Sequence, residues 1–281
     1  GRNLPGWVVG FSIMGTVISS ATFIGLPGEV YKTNMWSLPR QFVWPLVMIF
    51  ISYYLVAFYR RTVRMTAYSY LEKRFGYPAR AYGAAAFIVS HVIDVSVTFY
   101  FLAIAVGYLS GWDVWWVILI VGAVTVIYTM IGGIEAVVWT DVIQGTLLVI
   151  GGLICLFVLL FTPNEGASVV ISKAWEGGKF AMGNWNFDWY EHNQWFYVIG
   201  GTFFTLQYLA CDQSNVQRFL LARSDREAAQ GAYIGASACV PVWILFSIVG
   251  ALLWAFYELS LEQLPAEVLE SKDFIMPYFI K

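Results

Sequence analysis

Eight polar residues interrupt the long apolar runs of this 281-residue chain, and they are the residues best able to do chemistry. They are Thr22, Gln41, His91, Asp94, Asp141, Gln144, Gln207 and Asp212. A charge placed in hydrocarbon costs roughly 2.5–3.5 kcal/mol on insertion scales. A buried carboxylate therefore needs a cation or a proton, which makes Asp94 and Asp141 functional candidates. Hydrogen bonding between helices is the simpler interpretation of His91, Gln144 and Gln207.

The spacing of these residues places several of them on common helix faces. His91, Asp94 and Thr98 follow one another at intervals of three and four, and Asp141 and Gln144 are three apart. Neither histidine of the chain has a partner at metal-ligand spacing, and no nucleophile–base motif is present. The three cysteines lie in separate apolar runs and are interpreted as small core residues. These features argue against a membrane-embedded enzyme.

The composition indicates an integral membrane protein. Hydrophobic residues make up 59% of the chain and charged residues 12%, and the mean hydropathy is +0.66. Soluble domains carry roughly 25% charged residues. The net charge of −2 gives no reason to expect a nucleic-acid partner.

The elements that must position the polar residues are apolar segments of about 20 residues, the length that crosses a bilayer. Seven are predicted, at residues 7–31, 42–59, 82–109, 114–132, 137–161, 195–211 and 230–257. No strand-like alternation competes with them, so the expected class is an all-α helical bundle. The longest connection, residues 162–194, is rich in Gly, Trp, Asn and acidic residues and is predicted to be a structured surface loop.

Basic residues orient the predicted bundle through the positive-inside rule. Ten of the sixteen lie on one side if the seven segments alternate: Arg2, then Arg60, Arg61, Arg64, Lys73, Arg74 and Arg80, then Arg218, Arg223 and Arg226. This places Gly1 in the cytoplasm and Lys281 outside. The chain opens with Gly1 rather than Met and stops soon after a hydrophobic segment, so we expect a piece of a longer protein.

The first apolar segment carries an unusual stretch, SSATFIGLPG at residues 19–28. Small residues, two glycines and a proline lower the cost of leaving the helical conformation in the middle of a span. The stretch therefore predicts a discontinuous helix. A kink that only serves packing is the alternative.

Two further motifs carry a family resemblance. GGIEAVVWTDVIQ at residues 132–144 and DQSNVQRFLLARSDREAAQG at 212–231, together with the opening residues 1–31, resemble the sodium:solute symporter family. Members of that family move sugars, sialic acid, proline, pantothenate, iodide or vitamins with Na⁺. The resemblance covers nearly the whole chain.

The resemblance implies a LeuT-type fold, in which two five-helix repeats have inverted topology and the first helix of each repeat is broken near the bilayer midplane. Broken helices expose backbone carbonyls to ions and direct helix dipoles at a substrate. By this mapping residues 1–161 form the first repeat, 162–194 an external loop, and 195–281 the first two helices of the second repeat. The chain would thus be part of one transmembrane transporter domain.

The same resemblance implies a Na⁺ site at the first break. The family joins carbonyls of the broken helix to hydroxyls of a later helix, and the carbonyl positions fall at Gly15 and Ile18. The hydroxyl partners would lie beyond residue 281. Asp141 would stand beside this site as a carboxylate, and oxygen ligands suit a hard cation.

Substrate contacts implied by the resemblance fall near Ser19, Thr22, Gln41, Asp94 and Asp212. Gln41 stands where sugar-transporting relatives carry an acid and a sialic-acid-transporting relative carries Gln. That relative has an arginine on its third helix for the substrate carboxylate, and the aligned position here is Asp94. An aspartate accepts hydrogen bonds from hydroxyl groups and repels a carboxylate, so this position favours a neutral sugar or polyol.

The expected function is alternating-access symport of a small polar solute with Na⁺, in the bilayer of the cell membrane. Symport of an acidic solute such as sialic acid, pantothenate or a proline-like compound is one alternative. A sodium-linked sensor built on a transporter body is another, and a following signalling domain would identify it. A channel is disfavoured because no filter-like repeat is present.

Overall fold

The computed structural model describes residues 4–63, 66–191, 193–260 and 264–281. This part of the chain is helical apart from turns and one isolated bridge between Leu4 and Ala222, which agrees with the predicted all-α class. The helices are α1 (Gly6–Val17), α2 (Leu26–Lys32), α3 (Leu38–Gln41), α4 (Val43–Phe58), α5 (Ala67–Phe75), α6 (Tyr77–Ser110), α7 (Val114–Phe161), α8 (Ala167–Glu176), α9 (Gln194–Cys211), α10 (Gln213–Leu221), α11 (Asp225–Ser260), α12 (Ala266–Glu270) and α13 (Ile275–Ile280). Two π-helical turns, Ala21–Gly25 and Tyr59–Val63, precede α2 and follow α4.

Within the described residues, four helical stretches are long and apolar enough to cross a membrane: Leu38–Val63, Tyr77–Ser110, Val114–Phe161 and Asp225–Ser260. The bent pair Gly6–Val17 and Ala21–Lys32, whose axes differ by 57°, makes a fifth if it is counted as one broken span. These helices cover six of the seven predicted segments.

The long helix α7 contains two of those segments. Its 48 residues bend at Gly133, where φ is 59° and ψ is −159°. A positive φ favours glycine, which explains a Gly-Gly pair at the turn between the predicted segments 114–132 and 137–161. The remaining predicted segment forms α9, which has 18 residues, is not among the spans above, and leads through Asp212 into α10.

Glycines bring α1 into close contact with α11. A Cβ atom on Gly231 would lie 2.4 Å from the carbonyl oxygen of Gly6, and one on Gly235 would lie 2.5 Å from that of Gly10. Within each helix the two glycines are four residues apart, which is the small-xxx-small spacing that lets membrane helices approach at backbone distance. On the other side of α1, a Cβ on Gly15 would lie 2.4 Å from the carbonyl oxygen of Asp141 on α7. The broken helix is therefore clamped between α7 and α11.

The predicted surface loop contains α8 and holds the end of α2. Lys179 Nζ donates hydrogen bonds to the carbonyl oxygens of Tyr31 at 2.7 Å and Thr33 at 2.9 Å. These are C-terminal carbonyls that the helix itself leaves without donors. Burial lowers the pKa of the Lys179 ammonium, and the nearby Glu258 carboxylate acts in the opposite direction.

Basic residues tie the end of α4 to the start of α11. Arg60 Nε and Arg61 Nε lie 2.7 and 2.8 Å from the two carboxylate oxygens of Asp225. Arg218, which the orientation argument treated as a loop charge, is instead buried in α10 at 7% exposure and does not belong in that count. Arg2 and Arg64 lie outside the described residues. The orientation of the bundle stays a prediction supported by the remaining basic residues.

Candidate functional site

A cavity of about 380 Å³ lies beside the break that follows α1. Four of the five predicted substrate residues line it: Ser19, Gln41, Asp94 and Asp212. They come from the break, from the end of α3, from α6 and from the start of α10. The fifth, Thr22, is buried at 7% exposure in the π-helical turn and is not among the lining residues, so its substrate contact stays a prediction.

The α6 wall of the cavity carries part of the helix face predicted from the sequence. Asp94 and Thr98 both line the cavity, and the Thr98 hydroxyl donates to the Asp94 main-chain carbonyl at 3.0 Å. The Asp94 side chain is exposed. Its carboxylate has no ion-pair partner among the described residues and is free to accept hydrogen bonds from a solute.

Asp212 lines the cavity and also stabilises the start of α10. One oxygen caps α10 by accepting the Ser214 N–H at 2.8 Å. The other lies 3.8 Å from His91 Nδ1, and His91 Nε2 is 2.9 Å from the Ser214 hydroxyl. His91 thus ties α6 to the break between α9 and α10, in agreement with its interpretation as an interhelical contact.

The break after α1 leaves backbone carbonyls without their helical donors. Ile18 is extended, with φ −89° and ψ 115°. Beyond it, the Thr22 N–H donates to the Ser19 carbonyl at 2.9 Å, and the Ala21 N–H donates to the Ser19 hydroxyl at 3.3 Å. In a continuous helix these two N–H groups would bond to the carbonyls of Ile18 and Val17. The predicted discontinuity of the first helix is confirmed.

Asp141 lies against α1, as expected of a residue beside the break. Its Oδ2 atom accepts from the Ser12 hydroxyl at 2.7 Å and from the Thr16 hydroxyl at 3.3 Å. The same oxygen is 2.9 Å from Arg218 Nη2 in an ion pair whose side chains are only 15% and 9% exposed. No donor to Oδ1 is found in the described part of the chain, so this oxygen stays available.

Arg218 connects Asp141 to the second break, and sequence reasoning missed this role. Its Nε donates to the Ser12 hydroxyl at 3.0 Å and its Nη1 to the Ser214 carbonyl at 2.9 Å. The network therefore joins α1, α7 and α10. The available signal was its position six residues after Asp212, in the same motif as a residue already assigned to the membrane interior.

Arg40 was also missed, although it is the neighbour of Gln41 and lines the same cavity. Its guanidinium carbon lies 4.9 Å from the centroid of the Tyr197 ring on α9. Its Nε is buried and has no hydrogen-bond partner among the described residues. Arg40 lies just outside the predicted span 42–59, and only the structure places it within an apolar span, Leu38–Val63.

A second cavity, of about 560 Å³, continues from the first. The two share Ser90, Gln207 and Asp212 in their linings. The second is bordered by residues from the end of α4, the π-helical turn after it, α5, α6 and α9, six of them aromatic, and includes Cys211. It leads toward α5, which follows the basic residues assigned to the cytoplasmic side.

Comparison with known proteins identifies similar sequences along the whole chain. A sequence model of the sodium:solute symporter family matches residues 1–268. The sodium/sialic acid symporter NanT of Aliivibrio fischeri is 29% identical over 283 residues, covering 100% of this chain and 55% of the relative. The human sodium-coupled monocarboxylate transporter 1 is 29% identical over 287 residues, covering 100% of this chain and 46% of the relative. The chain spans about half the length of these relatives.

A solved structure supports the fold. A Na⁺-coupled sialic acid symporter, described as substrate-bound, outward-open and revealing a novel Na⁺ site, superposes with a TM-score of 0.93 at 29% identity. The match covers 100% of this chain and 59% of that one. The predicted LeuT-type architecture is confirmed. The relatives are transporters by name, and a multi-pass membrane location follows from the same matches.

Proposed function

This chain belongs to the sodium:solute symporter family, and from that premise we propose that it forms part of a symporter that couples Na⁺ entry to the uptake of a small acidic solute. The observation that carries the proposal is the break at Ile18, which leaves carbonyl oxygens unpaired directly beside a cavity of about 380 Å³. An ion bound at the break and a solute bound in the cavity would share α1 as a common wall.

Na⁺ would take oxygen ligands from the break. The Ile18 carbonyl lacks its helical donor, and Gly15 lies one turn earlier against Asp141. Oδ1 of Asp141 is the carboxylate oxygen left free by Arg218 and the two hydroxyls. Main-chain and carboxylate oxygens are the ligands that a hard cation prefers.

The proposed solute class departs from the neutral sugar or polyol favoured by Asp94 alone. The relatives named above transport sialic acid or monocarboxylates, which supports the acidic alternative. The neutral prediction keeps its physical basis, because the exposed Asp94 carboxylate offers acceptors to hydroxyl groups. The two classes therefore become separate arms of one transport assay.

We expect the intact protein that contains this chain, reconstituted in proteoliposomes, to accumulate an acidic solute only under an inward Na⁺ gradient. The panel would contain radiolabelled N-acetylneuraminate, glucuronate, pyruvate and glucose, with K⁺ or choline replacing Na⁺ as the control. Equal uptake in K⁺ would contradict Na⁺ coupling. Na⁺-driven uptake of glucose alone would restore the neutral-sugar prediction and refute the acidic one.

The second cavity gives the proposed solute a route to the cytoplasm, and Cys211 allows a test of this route. Cys211 is exposed in that cavity, whereas Cys155 and Cys239 are buried. We expect a membrane-impermeant maleimide to label the intact protein from the cytoplasmic face in inside-out vesicles and far more slowly from the outer face. The Cys211→Ser variant should lose this cytoplasmic component of the labelling, whatever other cysteines of the intact protein contribute. A cytoplasmic labelling rate equal to that of the wild type, or labelling from the outer face alone, would contradict the route.

A further inference from the structure

Arg40 brings a positive charge to the wall of the cavity beside the α1 break. The ion pairs found among the described residues leave it out, and its buried Nε has no hydrogen-bond partner there. A guanidinium group stays protonated at any physiological pH, so burial cannot neutralise it. A partly buried cation without an acidic partner is costly, and an anionic group entering the cavity would compensate it.

The surroundings of Arg40 hold the side chain in place. Its guanidinium group lies over the Tyr197 ring, with 4.9 Å between the guanidinium carbon and the ring centroid. Its aliphatic stem runs across Gly201, where an added Cβ would lie 2.2 Å from Arg40 Cγ and 2.5 Å from Cδ. The absence of a side chain at Gly201 is therefore what leaves room for the stem between α3 and α9.

Side chains of both charges therefore line the cavity. Arg40 supplies the positive charge from α3, and the unpaired carboxylate of Asp94 supplies acceptors from α6. Gln41, next to Arg40, adds an amide that can donate and accept. A solute that satisfies all of them carries a carboxylate together with hydroxyl, amide or amine donors.

We infer that Arg40 binds the carboxylate of the transported solute, while Asp94 accepts hydrogen bonds from its donor groups. This inference rests on the proposed function, since it names the residue that recognises an acidic solute. Arginine suits the task because its planar fork can hold both carboxylate oxygens. The inference also removes the conflict between an aspartate in the cavity and an acidic solute, because the two charges meet different parts of the solute.

The test compares one solute with its own uncharged derivative. Inhibition of Na⁺-driven uptake would be measured for whichever of N-acetylneuraminate, glucuronate and pyruvate is taken up best, and for its methyl ester. The wild type should favour the free acid, and Arg40→Gln should reduce this preference by about ten- to hundredfold. Arg40→Lys should retain part of it, because the charge stays and the fork is lost.

A ratio measured within one variant does not depend on how much of the protein is folded. Gly201→Ala should reduce the same ratio by displacing the Arg40 stem, whereas Gly200→Ala, where an added Cβ meets no atom within 4 Å, should not. An unchanged preference in both Arg40→Gln and Gly201→Ala would overturn the role of Arg40 and leave the proposed function intact. Failure of the wild type to take up any of the acids would overturn the proposed function itself.

Discussion

Replacing Asp141 by asparagine should weaken the apparent Na⁺ affinity of the intact protein by about tenfold or more, and should lower its stability by about 3–5 kcal/mol. The affinity effect follows if Oδ1 is a ligand of the ion. The stability effect follows from Arg218, which would stay charged and buried without its carboxylate. Both effects arise from one side chain, so they need separate measurements.

Na⁺ dependence of uptake at saturating solute measures the first effect, and the unfolding midpoint of the detergent-solubilised protein measures the second. The double variant Asp141→Asn with Arg218→Gln separates them. It removes the unpaired cation and keeps polar groups near Ser12 and Ser214, the two residues that Arg218 contacts besides Asp141. It should recover most of the lost stability and none of the lost Na⁺ affinity.

Two outcomes would contradict the assignment. If the double variant restores Na⁺ affinity together with stability, Asp141 acts only as the counter-ion of Arg218. If Asp141→Asn leaves the Na⁺ dependence unchanged while the unfolding midpoint falls, the carboxylate is a structural tie between α7, α1 and α10. In either case the carbonyls at the break would have to hold the ion without it.

The helices could be predicted from the sequence because hydrophobic runs and backbone breakers act locally. Gly133 marks the bend in α7, and the small residues from Ser19 to Gly28 mark the break after α1. Helix α9 was found by the same pattern, although it is not among the helices long and apolar enough to cross a membrane. Its break at Asp212 became visible only through the family motif.

The site was predicted less completely, because side-chain partners depend on contacts between distant segments. Asp141 and Arg218 are 77 residues apart, and neither sequence segment indicates that the two side chains are in contact. Thr22 stays a prediction: it lies in a π-helical turn, buried and outside the cavity lining, and a sequence does not show where such a turn directs its side chains.

Arg40 illustrates how the two kinds of information combine. The sequence places an arginine beside Gln41, just before a predicted span. Arginine is common at a membrane interface, so this position alone does not indicate a function. The structure places it over Tyr197 with its stem against Gly201, among the residues that line the cavity. The packing of α3 against α9 is what the sequence alone does not show, and the role proposed for Arg40 depends on it.

The second large effect is expected at the crossing of α1 and α11, where Gly10→Ala and Gly235→Ala should each destabilise the protein by about 1–3 kcal/mol. A Cβ on Gly10 would lie 2.7 Å from the carbonyl oxygen of Gly231, and one on Gly235 would lie 2.5 Å from that of Gly10. Both contacts are with backbone, which cannot rotate away as a side chain can. The helices would have to separate.

Separation of α1 from α11 should also disturb the proposed ion site, because α1 carries Gly15 and ends at the break. We therefore expect Gly235→Ala to lower both the unfolding midpoint and the apparent Na⁺ affinity. Gly200→Ala is the matched control, since its added methyl meets no atom within 4 Å and alanine is the better helix former. A midpoint that rises in Gly200→Ala and stays unchanged in Gly235→Ala would show that the crossing tolerates a methyl group. The close glycine contact would then have no part in holding the broken helix.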